Sequence, residues 1–115
     1  MKNYKKLNVW RDAMDLVERL YIWSRQLPKE EIYGLTSQIR RAAVSVPANV
    51  AEGSASKTDK GLNRYLTISL GSAFELETHL ILVEKLYPEV DGTRDLINEV
   101  DKLQMRLMAF MRKLR

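Results

Sequence analysis

Glu75 and His79, four residues apart, are the nearest the sequence comes to a pair that holds a metal or moves a proton. A di-iron bundle needs a Glu-x-x-His pair on each of two helices. Here the residue three before the single histidine is Leu76, and nothing completes the set. There is no cysteine, which excludes disulfides, thiolate metal sites and a cysteine nucleophile, and fits a reducing cytoplasm. The five glycines stand apart at 34, 53, 61, 71 and 92 and form no phosphate-cradling loop. No Ser/His/Asp set emerges from spacing. The expectation is a protein that is not an enzyme, with no cofactor and no metal. His79 then reads as structural, and Glu75, Glu77 and Glu84 as solvated or interhelical salt-bridge carboxylates.

Charge carries more information. The net charge is +4, but it is segregated. Lys2, Lys5, Lys6 and Arg11 face no acid within residues 1–11. Lys57, Lys60 and Arg64 follow, against Asp59. Lys102, Arg106, Arg112, Lys113 and Arg115 close the chain, while residues 72–101 hold eight acids and two bases. Bases near the end of the last helix and acids near its start complement a helix dipole. That account fails for Lys2, Lys5, Lys6 and Arg11, which precede or open a helix, where cations are unfavourable. These clusters are therefore candidate contacts to the phosphates of RNA or DNA: Lys2, Lys5, Lys6, Arg11, Lys57, Lys60, Arg64, Arg106, Arg112, Lys113 and Arg115. Tyr4 and Trp10 lie among them and are candidates to stack on unpaired bases, though Trp10 also fits a core position.

Four stretches of helical period must position these residues. A chain of 115 residues, 45% apolar and 30% charged, has room for one core. The longest uncharged runs, 42–51 and 65–74, are too short to span a bilayer. The opening "MKNYKKLNVWRDAM" is basic without a following apolar core and does not read as a secretory signal. Helices are expected at about 7–27, 35–52, 59–87 and 93–114, with Thr58 or Asp59 capping the third. The expected core stripes are Trp10, Met14, Val17, Tyr21 and Leu27; Leu35, Ile39, Ala43, Val46 and Val50; Leu62, Tyr65, Ser69, Ala73, Leu76, Leu80, Val83 and Tyr87; and Leu96, Val100, Leu103, Leu107, Phe110 and Leu114. Long helices and short connections predict an all-α fold, an antiparallel up-down-up-down four-helix bundle forming a single domain over 1–115. In it the N-terminus, the second connection and the C-terminus share one basic end. Glu30, Glu31, Glu89, Asp91 and Asp95 occupy the other.

Pro47 interrupts the second helix amid Ala42, Ala43, Ser45, Ala48 and Ala51. A proline there removes a hydrogen bond and costs about 3 kcal/mol. The helix either kinks and continues or breaks and restarts. The unchanged apolar phase from Val46 to Val50 favours the kink. The small residues of "SLGSA" (69–73) are expected to face it, with Ala43 near residues 68–69 and something packed on Gly71. Further apolar residues, Val9, Leu16, Leu20 and Trp23 on the first helix and Ile97, Met105, Met108 and Met111 on the fourth, exceed what one bundle needs and point to a homo-oligomer. Arg41, Ser45 and Asn49 form a polar stripe facing away from Ile39. The expected interface comprises Arg41, Ser45, Pro47, Asn49, Leu16, Trp23, Met105 and Met108.

The stretches "LNVWRDAMDLV" (7–17), "YGLTSQIRRAAVSVPANVAEG" (33–53) and "RYLTISLGSAFELETHL" (64–80), with the seam of the fourth helix, resemble a bacterial family of four-helix-bundle proteins. These were first noticed as reading frames inside intervening sequences of large-subunit ribosomal RNA genes. The resemblance covers nearly the whole chain. It implies an antiparallel bundle in a ring-like homo-oligomer, a pentamer, with no known catalysis. It also implies kinship with accessory proteins of diversity-generating retroelements, whose basic surfaces bind nucleic acid. Arg40 and Arg41 match the family pattern. Gly61 and Leu62 stand where that pattern carries an acid and an aromatic, so a weaker start to the third helix is expected.

Overall fold

The computed structural model describes residues 2–114. Four α-helices carry the fold: α1 (Asn8–Ser24), α2 (Leu35–Gly53), α3 (Asp59–Leu86) and α4 (Thr93–Lys113). Single 3-10 turns at Tyr4–Lys6 and Lys29–Glu31 precede α1 and α2, and no strand occurs among the described residues. α1 and α3 each pack on both α2 and α4. One apolar cluster takes residues from every helix, with Leu20, Ile39, Leu66, Leu76, Leu80 and Leu107 at its centre.

Local chemistry explains the boundaries. Thr58 accepts the Gly61 N–H at 3.0 Å and opens α3. Contrary to the expected weakness there, Gly61 helps this turn form. A Cβ at 61 would collide with the Ser56 hydroxyl, which also accepts the Thr58 N–H at 3.2 Å. Glu31 caps α2 by accepting the Leu35 N–H at 3.2 Å. Gly92, at φ +87°, makes the left-handed turn into α4. α1 ends at Ser24 rather than near Leu27, as a turn leads into Pro28.

α1 presents a different face from the one expected. Val9, Ala13, Leu16, Leu20, Trp23 and Leu27 are buried, whereas Met14 and Tyr21 are exposed and Trp10 and Val17 half-buried. Both stripes have helical spacing, so periodicity alone does not choose between them. The inward one places Ala13 and two leucines against the core. The outer one keeps the polar ends of Trp10 and Tyr21 near water. Leu16 and Trp23, expected at an oligomer interface, are therefore core residues, only 5% and 6% exposed. Ile97 is likewise buried. On α3, Leu66 takes the inward position expected of Tyr65.

α2 runs as α-helix through Pro47, which is buried and so is also removed from the expected interface. Side chains hold the neighbouring carbonyls. Ser69 donates to the Val46 carbonyl at 2.8 Å, and Asn49 donates to the Ser45 carbonyl at 2.8 Å and to its hydroxyl at 2.9 Å. Ser45 and Ser72 bond across the helices at 2.8 Å. Opposite Val46 thus lies Ser69, about a turn from the register expected for Ala43. At the end of α2 a Cβ on Gly53 would lie 2.6 Å from that of Tyr65, so glycine permits this close approach. Pro47→Ala is expected to keep the fold and leave the chain equally or more stable. It regains up to about 3 kcal/mol of helix propensity before the lost ring contacts are subtracted. Thermal denaturation monitored by circular dichroism checks this; a variant that does not fold would mean that the turn needs its proline.

α3 is long and apolar enough, by length and composition, to cross a membrane, with a mean hydropathy of 1.3 over its best window. The sequence reading missed this because it counted only uncharged runs. The inward side of α3 is core, from Leu62 to Val83. Its outward side is apolar too: Ile68 (47% exposed), Phe74 (48%) and Leu86 (55%), with Ile81 and Leu82 also exposed. Nothing within the chain packs on Gly71, contrary to expectation.

Candidate nucleic-acid interface

The short turn before α1 gathers the first basic cluster. Asn3 accepts the Lys5 N–H at 3.2 Å, and Arg11 reaches back to donate to the Lys5 carbonyl at 2.9 Å. The Lys2 N–H donates to the Ser54 carbonyl at 3.1 Å, tying this segment to the end of α2 and so to the Lys57, Lys60 and Arg64 region. The end of α4 arrives on the other side. Lys6, Leu7, Asn8 and Val9 share a cleft of about 400 Å³ with Arg106, Ala109, Phe110 and Lys113. The three basic segments are thus held at one end by direct contacts. Arg115 lies outside the described residues.

Among the described residues, Arg106 alone of the expected contacts forms an ion pair, with Asp12 at 3.2 Å. Lys2, Lys5, Lys6, Arg11, Lys57, Lys60, Arg64, Arg112 and Lys113 are exposed and have no carboxylate within 4.0 Å. α1 opens beside them without a side-chain cap and without an acid in its first turn. Tyr4 and Trp10 pack edge-to-face, with ring centroids 5.3 Å apart, and both are half-buried.

The acids collect elsewhere. Gln26 bonds the Asp91 backbone twice, each bond 3.0 Å long, joining the end of α1 to the α3–α4 connection. Tyr87 donates to Glu31 at 2.6 Å. That bond holds the Glu31 carboxyl below its ordinary pKa and raises the tyrosine hydroxyl above its own. Glu84 pairs with Arg94. Glu77 accepts from Gln104 at 3.2 Å, and Glu75 lies 3.3 Å from His79. No group of three ligands able to hold a metal occurs among the described residues.

The residues placed at an interface separate into two sets. Arg41 and Met105 are exposed, Met108 is half-buried, and Ser45 and Asn49 are spent on bonds within the chain. Arg40 is held within the chain: it donates to the Ser24 hydroxyl at 3.0 Å and stacks 4.8 Å from the Tyr21 ring. Sequence reasoning missed Phe110 as a cleft residue and the outward stripe of α3. The stripe was legible at 68, 74, 81 and 82 once the core face had been fixed.

These features define a class: a four-helix, all-α chain with segregated charge. The chain belongs to the 23S rRNA-intervening sequence protein family, whose model it matches over residues 5–109. No match is found among curated proteins.

Proposed function

We propose that this protein is a non-catalytic accessory protein that binds the phosphates of RNA or DNA through its basic end, as a homo-oligomer built from antiparallel up-down-up-down bundles. The observation that carries the reading is the set of nine exposed cations at one end with no carboxylate partner among the described residues. Cations left unpaired beside an uncapped helix start raise the local potential, and a polyanion lowers it. The bonds from Lys2 to Ser54 and from Gln26 to Asp91 support the bundle topology. The outward stripe of α3 supports assembly, and a second copy rather than lipid is its proposed cover. A pentameric ring and a cytoplasmic location complete the proposal. The family name refers to a place in a ribosomal RNA gene, so it is no argument for binding.

A salt titration tests the reading. Affinity for RNA and for duplex DNA is expected to fall on a log–log plot with a slope of about −0.9 per duplex phosphate neutralised, with little dependence on sequence. Mass is measured alongside. Absence of binding to either nucleic acid at ~50 mM salt would replace this reading with a scaffold acting through protein contacts.

A further inference from the structure

We propose that the cleft between the start of α1 and the end of α4 takes one unpaired nucleotide of a single strand, its phosphate against Lys6, Arg106 and Lys113 and its base on Phe110. This rests on the reading that the basic end binds nucleic acid and names the part of the strand it selects.

Three features of the cleft converge. Its wall is cationic, with the ammonium groups of Lys6 and Lys113 unpaired and the Arg106 guanidinium held by Asp12 at 3.2 Å. Its floor is apolar, with Leu7 beside the half-buried ring of Phe110. Its volume of about 400 Å³ lies near the lower end of small-molecule sites, whose range begins at about 300 Å³, and is too small for a duplex. An anion joined to a flat aromatic group satisfies wall and floor together. Asn8 at the cleft presents an amide donor and acceptor to a base edge. Lys5 and Arg112, exposed next to the cleft residues in sequence, are placed for the flanking phosphates. A paired base cannot enter, because its flat faces are already stacked. The cleft therefore selects single strands, loops or extruded nucleotides.

The test uses the full chain and a labelled single-stranded RNA of about 12 nucleotides containing 5-iodouridine, beside a duplex of the same sequence. Phe110→Leu keeps the apolar contact with the core but removes the stacking face. It is expected to weaken single-strand binding about tenfold and to leave duplex binding unchanged. Lys113→Gln, at an exposed position, is expected to weaken the same binding without touching the core. Irradiation is expected to cross-link the strand within residues 107–112, the tryptic peptide that contains Phe110. Unchanged single-strand affinity in a folded Phe110→Leu protein, or cross-links confined to Tyr4 and Trp10, overturns the proposal while the phosphate reading stands. If the wild type binds neither probe at ~50 mM salt, the phosphate reading itself fails and this inference falls with it.

Discussion

Replacing Lys5, Lys6, Arg112 and Lys113 together with glutamate is expected to lower duplex affinity by about a thousandfold at ~0.1 M salt, and the salt slope is expected to shrink by about 3 to 4. Each lost phosphate contact removes one share of counterion release, which is why the slope changes with the affinity. The four side chains are exposed and unpaired among the described residues, so no internal bond is broken. The dipole effects of the two pairs oppose one another. New acids before α1 meet an N-terminus that lacks them, while new acids at the end of α4 remove cations from its last turn. Each change is worth about 0.3–1 kcal/mol, so helicity and melting temperature are expected to stay close to wild type. Fluorescence anisotropy across a salt series, with circular dichroism on the same samples, reads both. A variant that binds like wild type would show the basic end to be a solvated face.

That end was legible because charge is read without knowing how a helix is rotated. Lys2, Arg64 and Lys113 are exposed wherever their helices turn, and short connections brought them together. The four helices were legible for a similar reason, since Pro28, Gly53, Pro88 and Gly92 punctuate long periodic segments. Rotation was harder. α1 offers two apolar stripes, and a single helix holds no information about which of them a neighbour will cover. Val9–Leu16–Trp23 won because Ala13 and Leu20 complete it with residues that fill the space against α2 and α4. The error carried forward: having placed the core on Trp10, Met14 and Tyr21, the reading sent Leu16 and Trp23 to an interface they do not form. Gly71 shows the converse. Its place in mid-helix was read as a contact within the chain, but no atom outside its own helix turn and chain neighbours comes within 4 Å.

Ile68→Lys combined with Phe74→Glu is expected to leave a folded single chain where the wild type forms an oligomer. Both residues are about half exposed, on the face of α3 turned away from α2 and α4. In the isolated chain their replacement removes little buried area, and charged residues there regain hydration. Across an interface the same substitutions bury two charges without partners. Two central apolar side chains at about 2 kcal/mol each amount to roughly a thousandfold in dissociation constant. The stripe continues onto α4. Gln104 bonds the Ala73 carbonyl at 3.3 Å, and exposed Met105 follows it in sequence as Phe74 follows Ala73. Gly71→Ala separates folding from assembly on this face. With open space around it, alanine is expected to stabilise the isolated chain by about 1 kcal/mol, while a methyl group between closely apposed copies weakens their contact. Sedimentation at micromolar concentration, paired with thermal melts, distinguishes the two effects. A wild type that sediments as one chain would remove the ring and leave α3's outward face without a second copy to cover it. A double variant that keeps the oligomer would move the interface off α3, toward the exposed Met14, Tyr21 and Val44 of α1 and α2.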